Sequence, residues 1–167
     1  MFNEINIRDL DQNAVSMIAD RWLLIAAGTP EKYNMMTGSW GALGEMWGKD
    51  IAVTVIRPTR YTYEFMEQQD YFTLSVLNPE VNKAVHSICG SKSGREIDKT
   101  KETGLTPVFD QGVYFEQADI VLICKKIYTS DVKPENFVDK SLDEKWYNND
   151  YHKMYVGEIV KVLIKEA

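Results

Sequence analysis

The sequence predicts an α+β protein that is mainly β: a mostly antiparallel β-barrel with flanking helices packed against it. Five short runs are rich in the β-branched and aromatic side chains that suit a pleated surface. The helical signals between them are too few and too irregularly placed for a repeating βαβ pattern. With 167 residues and 44% hydrophobic content, the chain is long enough for one sizeable core, and residues 1–167 are read as a single domain.

Residues 22–27 (WLLIAA) form the first expected strand and 51–56 (IAVTVI) the second. Residues 61–69 follow, with Tyr61, Phe65 and Met66 at helical spacing. Residues 71–77 (YFTLSVL) make a third strand, and Pro79 stands ahead of a second helix-like run at 80–88. Residues 120–127 (IVLICKKI) and 154–164 (MYVGEIVKVLI) complete the strands. Between these two, 134–150 is strongly charged but carries Phe137, Leu142, Trp146 and Tyr147, which predicts an ordered excursion and not a free linker.

The formal charge of −6 and pI near 5.0 argue against nucleic-acid or anionic-membrane partners, because polyanions repel a surface of their own sign. No apolar run approaches the roughly 18 to 20 residues that span a bilayer. The start of the chain lacks the charged and then apolar pattern of a secretory leader, and Cys89 and Cys124 could form one disulfide at most. These features lead to the expectation of a soluble, reduced, cytoplasmic protein.

Several chemistries leave no trace. The glycines of GSWGALG have the wrong spacing for a GxGxxG dinucleotide turn, and no GxxxxGK[ST] phosphate loop occurs. No CxxC or HExxH suggests zinc. A Cys89 nucleophile with His86 as base is conceivable, but three residues apart on one helix is more often coincidence. No catalytic residue and no metal ligand is assigned, which suits a protein that leaves its chemistry to a redox cofactor.

A binding pattern is visible. Arg57, Arg60, Lys92, Arg95 and Lys99 gather in IRPTRYTYE and CGSKSGREIDK. Thr59 and Thr62 add hydroxyls, and a helix starting near Tyr61 would aim free N–H groups at the same point, a combination that suits phosphate. The same residues could simply punctuate a strand-to-helix turn with solvated arginines. The Gly90, Ser91, Ser93 and Gly94 segment reads as a flexible loop. NMMTGSWGALGEMWG sets small residues beside Met and Trp, which suits a flat aromatic ligand, and equally suits a barrel strand with a bulge.

Taken in order, NMMTGSWG, IRPTRYTYE with FTLSVLNPE, CGSKSGREIDKTKETGLTP and DYHKMYVGEIVKV resemble the flavin reductase-like family of FMN-binding split barrels, especially its flavoredoxin-like branch. The resemblance runs from about residue 22 to 161. It implies a homodimeric split β-barrel that binds FMN noncovalently near the subunit interface. It further implies electron transfer between NADH or NADPH and a flavin or redox-protein acceptor; the alternative is an electron carrier or plain FMN-binding protein without nicotinamide turnover. By the same resemblance Asn34, Thr37, Gly38, Ser39 and Trp40 line the flavin ring. Arg57, Thr59, Arg60, Tyr61 and Thr62 surround the ribityl chain and phosphate. Cys89, Gly90 and Ser93 approach the flavin, Arg95 and Lys99 lie nearer the phosphate, and His152 reaches the cofactor or is structural.

Overall fold

The computed structural model describes residues 1–166. In chain order its strands are β1 (Phe2–Ile5), β2 (Leu23–Gly28), β3 (Tyr33–Gly38), β4 (Gly41–Met46), β5 (Lys49–Ile56), β6 (Tyr71–Leu77), β7 (Pro107–Asp110), β8 (Gly112–Phe115), β9 (Ala118–Asp131) and β10 (Lys153–Lys165). The α-helices are α1 (Ala14–Ala19), α2 (Tyr61–Gln68), α3 (Pro79–Ser91), α4 (Lys99–Thr103) and α5 (Lys140–Trp146). The five expected strands and the two expected helices are all present.

Eight strands form one sheet in the order β3-β2-β6-β9-β10-β5-β4, with β1 added alongside β10, and every pairing is antiparallel. The two ends of that order, β3 and β4, are consecutive in the chain and joined only by Ser39 and Trp40. So short a connector cannot cross a flat sheet of this width, so the sheet must curl until the end of β3 and the start of β4 converge at that corner, without pairing along their length. The stretch that suited one bulged strand is therefore two strands and a corner. β7 and β8 pair separately as a small hairpin.

The central strands are apolar on both faces. Leu23, Ile25 and Ala27 of β2 join Phe72, Leu74 and Val76 of β6 and Ile120, Leu122 and Cys124 of β9 in one buried cluster, which α1 and α2 complete with Met17, Phe65 and Met66. The alternate residues Leu24, Ala26, Val121 and Ile123 belong to a second cluster with Val85 and Cys89 of α3. Period-two alternation into two cores explains the unbroken apolar runs. At the register shift in β10, a Cβ on Gly157 would lie 2.7 Å from atoms of both Cys124 and Phe72, so only glycine lets β9 and β10 approach there.

Polar ties at its far end fix α2. Tyr155 is buried and its hydroxyl donates to Glu67 over 2.6 Å, while Lys126 Nζ donates to the Met66 carbonyl over 2.6 Å. With its C-terminal turn held, α2 presents its N-terminal turn beside β3 and the end of α3.

Candidate functional site

Two clefts meet at Arg60. One, of about 200 Å³, lies between the start of α2 and the end of α3 and is lined by Asn34, Thr59, Arg60, Tyr61, Thr62, Gly90, Ser93 and Lys99 from the expected set, with Ser91 and Lys92 added. The other, of about 210 Å³, is lined by Thr37, Gly38, Ser39, Trp40, Arg57, Arg60 and His152, together with Met36, Val55 and Trp146.

The first cleft is cationic and built into the core. Lys99 is 4% exposed, and its Nζ donates to the carbonyls of Met35 (2.8 Å) and Cys89 (3.2 Å). Arg60 donates to the same Cys89 carbonyl over 3.1 Å. Among the described residues neither cation has a carboxylate partner, although the chain carries 25 acidic residues. Burial draws the Lys99 amine down to about 8; the Cys89 thiol opposes the shift and the Arg60 charge adds to it. Burial likewise lowers the Arg60 guanidinium. Arg60 is also the N-cap residue of α2 and makes no capping hydrogen bond, so the helix's first N–H groups have no side-chain cap.

The local sequence explains this placement. Asn78 caps α3 by accepting from Glu80 N, Pro79 occupies its first turn, and the helix continues through Cys89 and Gly90 to Ser91. Gly90 and Ser91 are thus helical, a correction to the loop expected here, while Ser93 and Gly94 lie outside the helix. The Cys89 side chain faces the second apolar cluster, and burial pushes its thiol up to about 11. Cys89 therefore serves Arg60 and Lys99 through its carbonyl and keeps its sulfur in the core. After the helix the chain packs tightly on β3: a Cβ on Gly94 would stand 2.1 Å from Asn34 Oδ1. Asn34 is itself fixed by donating to Thr62 Oγ1 over 2.8 Å, both residues being buried.

The second cleft is aromatic. The Trp40 ring meets Trp146 edge-on with centroids 5.1 Å apart, and meets His152 at 5.1 Å. His152 Nδ1 shares a 2.7 Å hydrogen bond with the Tyr147 hydroxyl. Burial brings the imidazole down to about 4, with Arg57 lowering it further and Asp150 opposing, so the ring is neutral near pH 7. Thr37 Oγ1 lies 2.8 Å from Nδ1 of the buried His86 and 3.3 Å from its carbonyl. His86 is held near 4 by burial, and its Nε2 has no hydrogen-bond partner.

The expected residues are thus brought together, with rearrangements. Asn34, expected at a ring, lines the cationic cleft; Arg57, expected at a phosphate, lines the aromatic one. Arg95 lines a neighbouring cleft of about 410 Å³ that shares Asn34, Tyr61 and Lys99 with the cationic one, and it is paired with Glu64 and stacked over Tyr61 at 4.6 Å. Trp146 was not foreseen as a wall residue. Its signal was a large aromatic side chain in an otherwise charged stretch.

Among the described residues no helix is long and apolar enough to cross a membrane. A family model described as "Flavin reductase like domain" matches residues 17–167. Among solved structures, the FMN-binding domain of a flavin reductases-like enzyme from Shewanella baltica OS155 is 15% identical, with a TM-score of 0.69 over 98% of this chain and 77% of that one. The flavoredoxin of Desulfovibrio vulgaris (Miyazaki F) is 19% identical, with a TM-score of 0.67 over 95% and 76% of the two chains. An NADH:FAD oxidoreductase of Streptomyces globisporus C-1027 is 12% identical, with a TM-score of 0.63 over 86% and 75%. No curated protein sequence matches. At these identities the likeness shows the split-barrel fold, mainly β with flanking helices.

Proposed function

Because the chain belongs to the flavin reductase-like family, we propose that it is an FMN-binding flavoprotein that takes electrons from NADH or NADPH and passes them to a flavin or a redox-protein acceptor. The observation that carries this reading is the pair of the half-buried Arg60 and the buried Lys99, two cations with carbonyl partners and, among the described residues, no carboxylate. Burying such charges costs several kcal/mol unless an anion compensates, roughly; the phosphate of FMN is such an anion. The hydroxyls of Thr59 and Ser93 line the same cleft, and the N-terminal turn of α2 adds N–H donors.

An anionic group there places the other end of an elongated ligand toward the adjoining aromatic cleft, since Arg60 lines both. Trp40 and Trp146 would cover a flat ring and exclude water from it. His152, neutral and tied at Nδ1 by Tyr147, retains Nε2 as its free hydrogen-bonding atom and offers a dipole in place of a charge. When bound, FMN supplies the electron-accepting ring; the protein supplies position and electrostatics.

We place the protein in the cytoplasm, where Cys89 and Cys124, both buried and unbridged, would stay thiols. It is proposed to work as a homodimer. Strand β4 is an exposed sheet edge, and beside it a mostly apolar cleft of about 420 Å³ runs between α1 and β4, touching Val15, Ile18, Trp40 and Leu43. A second copy would cover it. Sedimentation as a 19.2 kDa monomer with full FMN occupancy would remove the dimer.

The test of the activity is the anaerobic absorption spectrum of purified protein before and after NADH and then NADPH. Bleaching of a flavin spectrum by either supports the reductase. A spectrum that persists favours an electron carrier, and a colourless protein that takes up no FMN defeats the flavin reading.

A further inference from the structure

We propose that Arg57 is a positioning residue: it holds residues 132–152 across the aromatic cleft, so that Trp146 and His152 stand against Trp40. The flavin reading bears only on what that cleft contains, and the attachment itself is independent of any ligand.

Residues 132–152 form a strap that leaves β9 and returns to β10, closed at its base by Val132 N donating to the His152 carbonyl over 2.9 Å. None of these residues is buried, so no apolar core of its own anchors the strap. Its internal bonds, such as Tyr151 to Asp143 at 2.7 Å and Asn148 N to Asp150 at 2.9 Å, shape it without attaching it.

Among the described residues, every hydrogen bond between the strap and the rest of the chain has Arg57 as its donor. One terminal nitrogen reaches the Trp146 carbonyl at 2.9 Å; the other reaches the Asp150 carbonyl at 3.2 Å and pairs with the Asp150 carboxylate. The guanidinium also lies over the Tyr147 ring, 5.0 Å from its centroid. A planar fork with several fixed donors suits this multiple grip, which a lysine's point charge would not reproduce.

This assigns Arg57 and Arg60 opposite duties although one turn carries both. Arg57 is neutralised by Asp150 and spends its donors on the strap; Arg60, three residues on, has no carboxylate partner among the described residues. The consequence is that Arg57 sets where the Trp146 and His152 wall of the aromatic cleft stands.

The experiment uses the full chain, with Arg57→Leu, Arg57→Lys and, in case the first fails to fold, Asp150→Asn. Hydrogen exchange is followed by mass spectrometry without cofactor, and FMN and riboflavin affinities are measured by fluorescence titration. In Arg57→Leu, amides of residues 133–151 should exchange about tenfold faster or more while those of β6 and β9 stay protected. Arg57→Lys should recover only part of the protection, and Asp150→Asn should loosen the same segment. FMN and riboflavin should weaken by the same factor. Unchanged exchange in the strap overturns the proposal, as does selective loss of FMN over riboflavin, which would make Arg57 a phosphate ligand. A wild-type protein that binds no flavin defeats the functional reading and leaves the exchange result to decide the strap.

Discussion

The two clefts that meet at Arg60 are built in opposite ways. The cationic one is backed by the core: Lys99, Asn34 and Thr62 are buried, and among the described residues its charges Lys99 and Arg60 lack carboxylate partners. The aromatic one is closed by a strap with no buried residue, and the cation that holds the strap, Arg57, is paired with Asp150. The first is an excess of positive charge that an anion would offset; the second is a wall assembled from the surface. Affinity should therefore reside mainly in the first, and access in the second.

The sharpest break in this contrast would come from Lys99→Met. It should weaken FMN by about 2 kcal/mol, roughly thirtyfold, and riboflavin by less than about threefold, because only FMN presents the charge. Equal losses in fluorescence titration would place the phosphate elsewhere. The same variant tests pH dependence. Lys99 sits at about 8 in the folded chain against an ordinary 10.5, so between these values the unfolded chain binds the extra proton. Stability of the ligand-free protein should then rise with pH from about 8 to 10.5 and level off above, and Lys99→Met should remove that rise in urea titrations. FMN affinity should move the other way, falling as pH passes 8.

Trp146→Ala is expected to do less and to do it without regard to charge. Losing the edge contact with Trp40 should cost FMN and riboflavin alike about 1 kcal/mol. A selective loss of FMN would erase the distinction between the clefts. Smallest of all, Lys101→Ala removes an exposed lysine on the same helix as Lys99, paired only with Asp98 at 3.6 Å. Stability and FMN affinity should stay within about 0.5 kcal/mol of the parent; a larger shift in affinity would mean that general positive charge on α4, and not a buried cradle, attracts the ligand.

Much of the barrel was legible because its central strands are buried on both faces, so β2, β6 and β9 announce themselves as continuous apolar runs. β3 and β4 were harder. Their glycines and methionines carry little strand propensity, and what makes them strands is pairing with β2 and β5. Gly90 suggested a loop because local propensity outweighed the well-capped start of α3 eleven residues earlier. Thr59 and Arg60 make Arg57 look like part of a phosphate site, and nothing local reveals its pairing with Asp150, 93 positions away. The burial of Lys99 is likewise a property of the fold: the sequence shows a lysine among serines and glycines, and only the packing of β3 against α3 shows that its partners among the described residues are carbonyls and not carboxylates.

The two-residue link between β3 and β4 makes the aromatic cleft part of the barrel's seam. Ser39 and Trp40 are both the fastener of that seam and part of the cleft's lining. Assembly of the site is then tied to curling of the sheet, because strands distant in the sheet order must converge before Trp40 can face Trp146 and His152. A molecule lodged there would select closed barrels and, by mass action, act as a staple across the seam. Protease cutting at residues 39–40 should accordingly be slowed by saturating FMN; an unchanged cutting rate would uncouple the seam from the ligand.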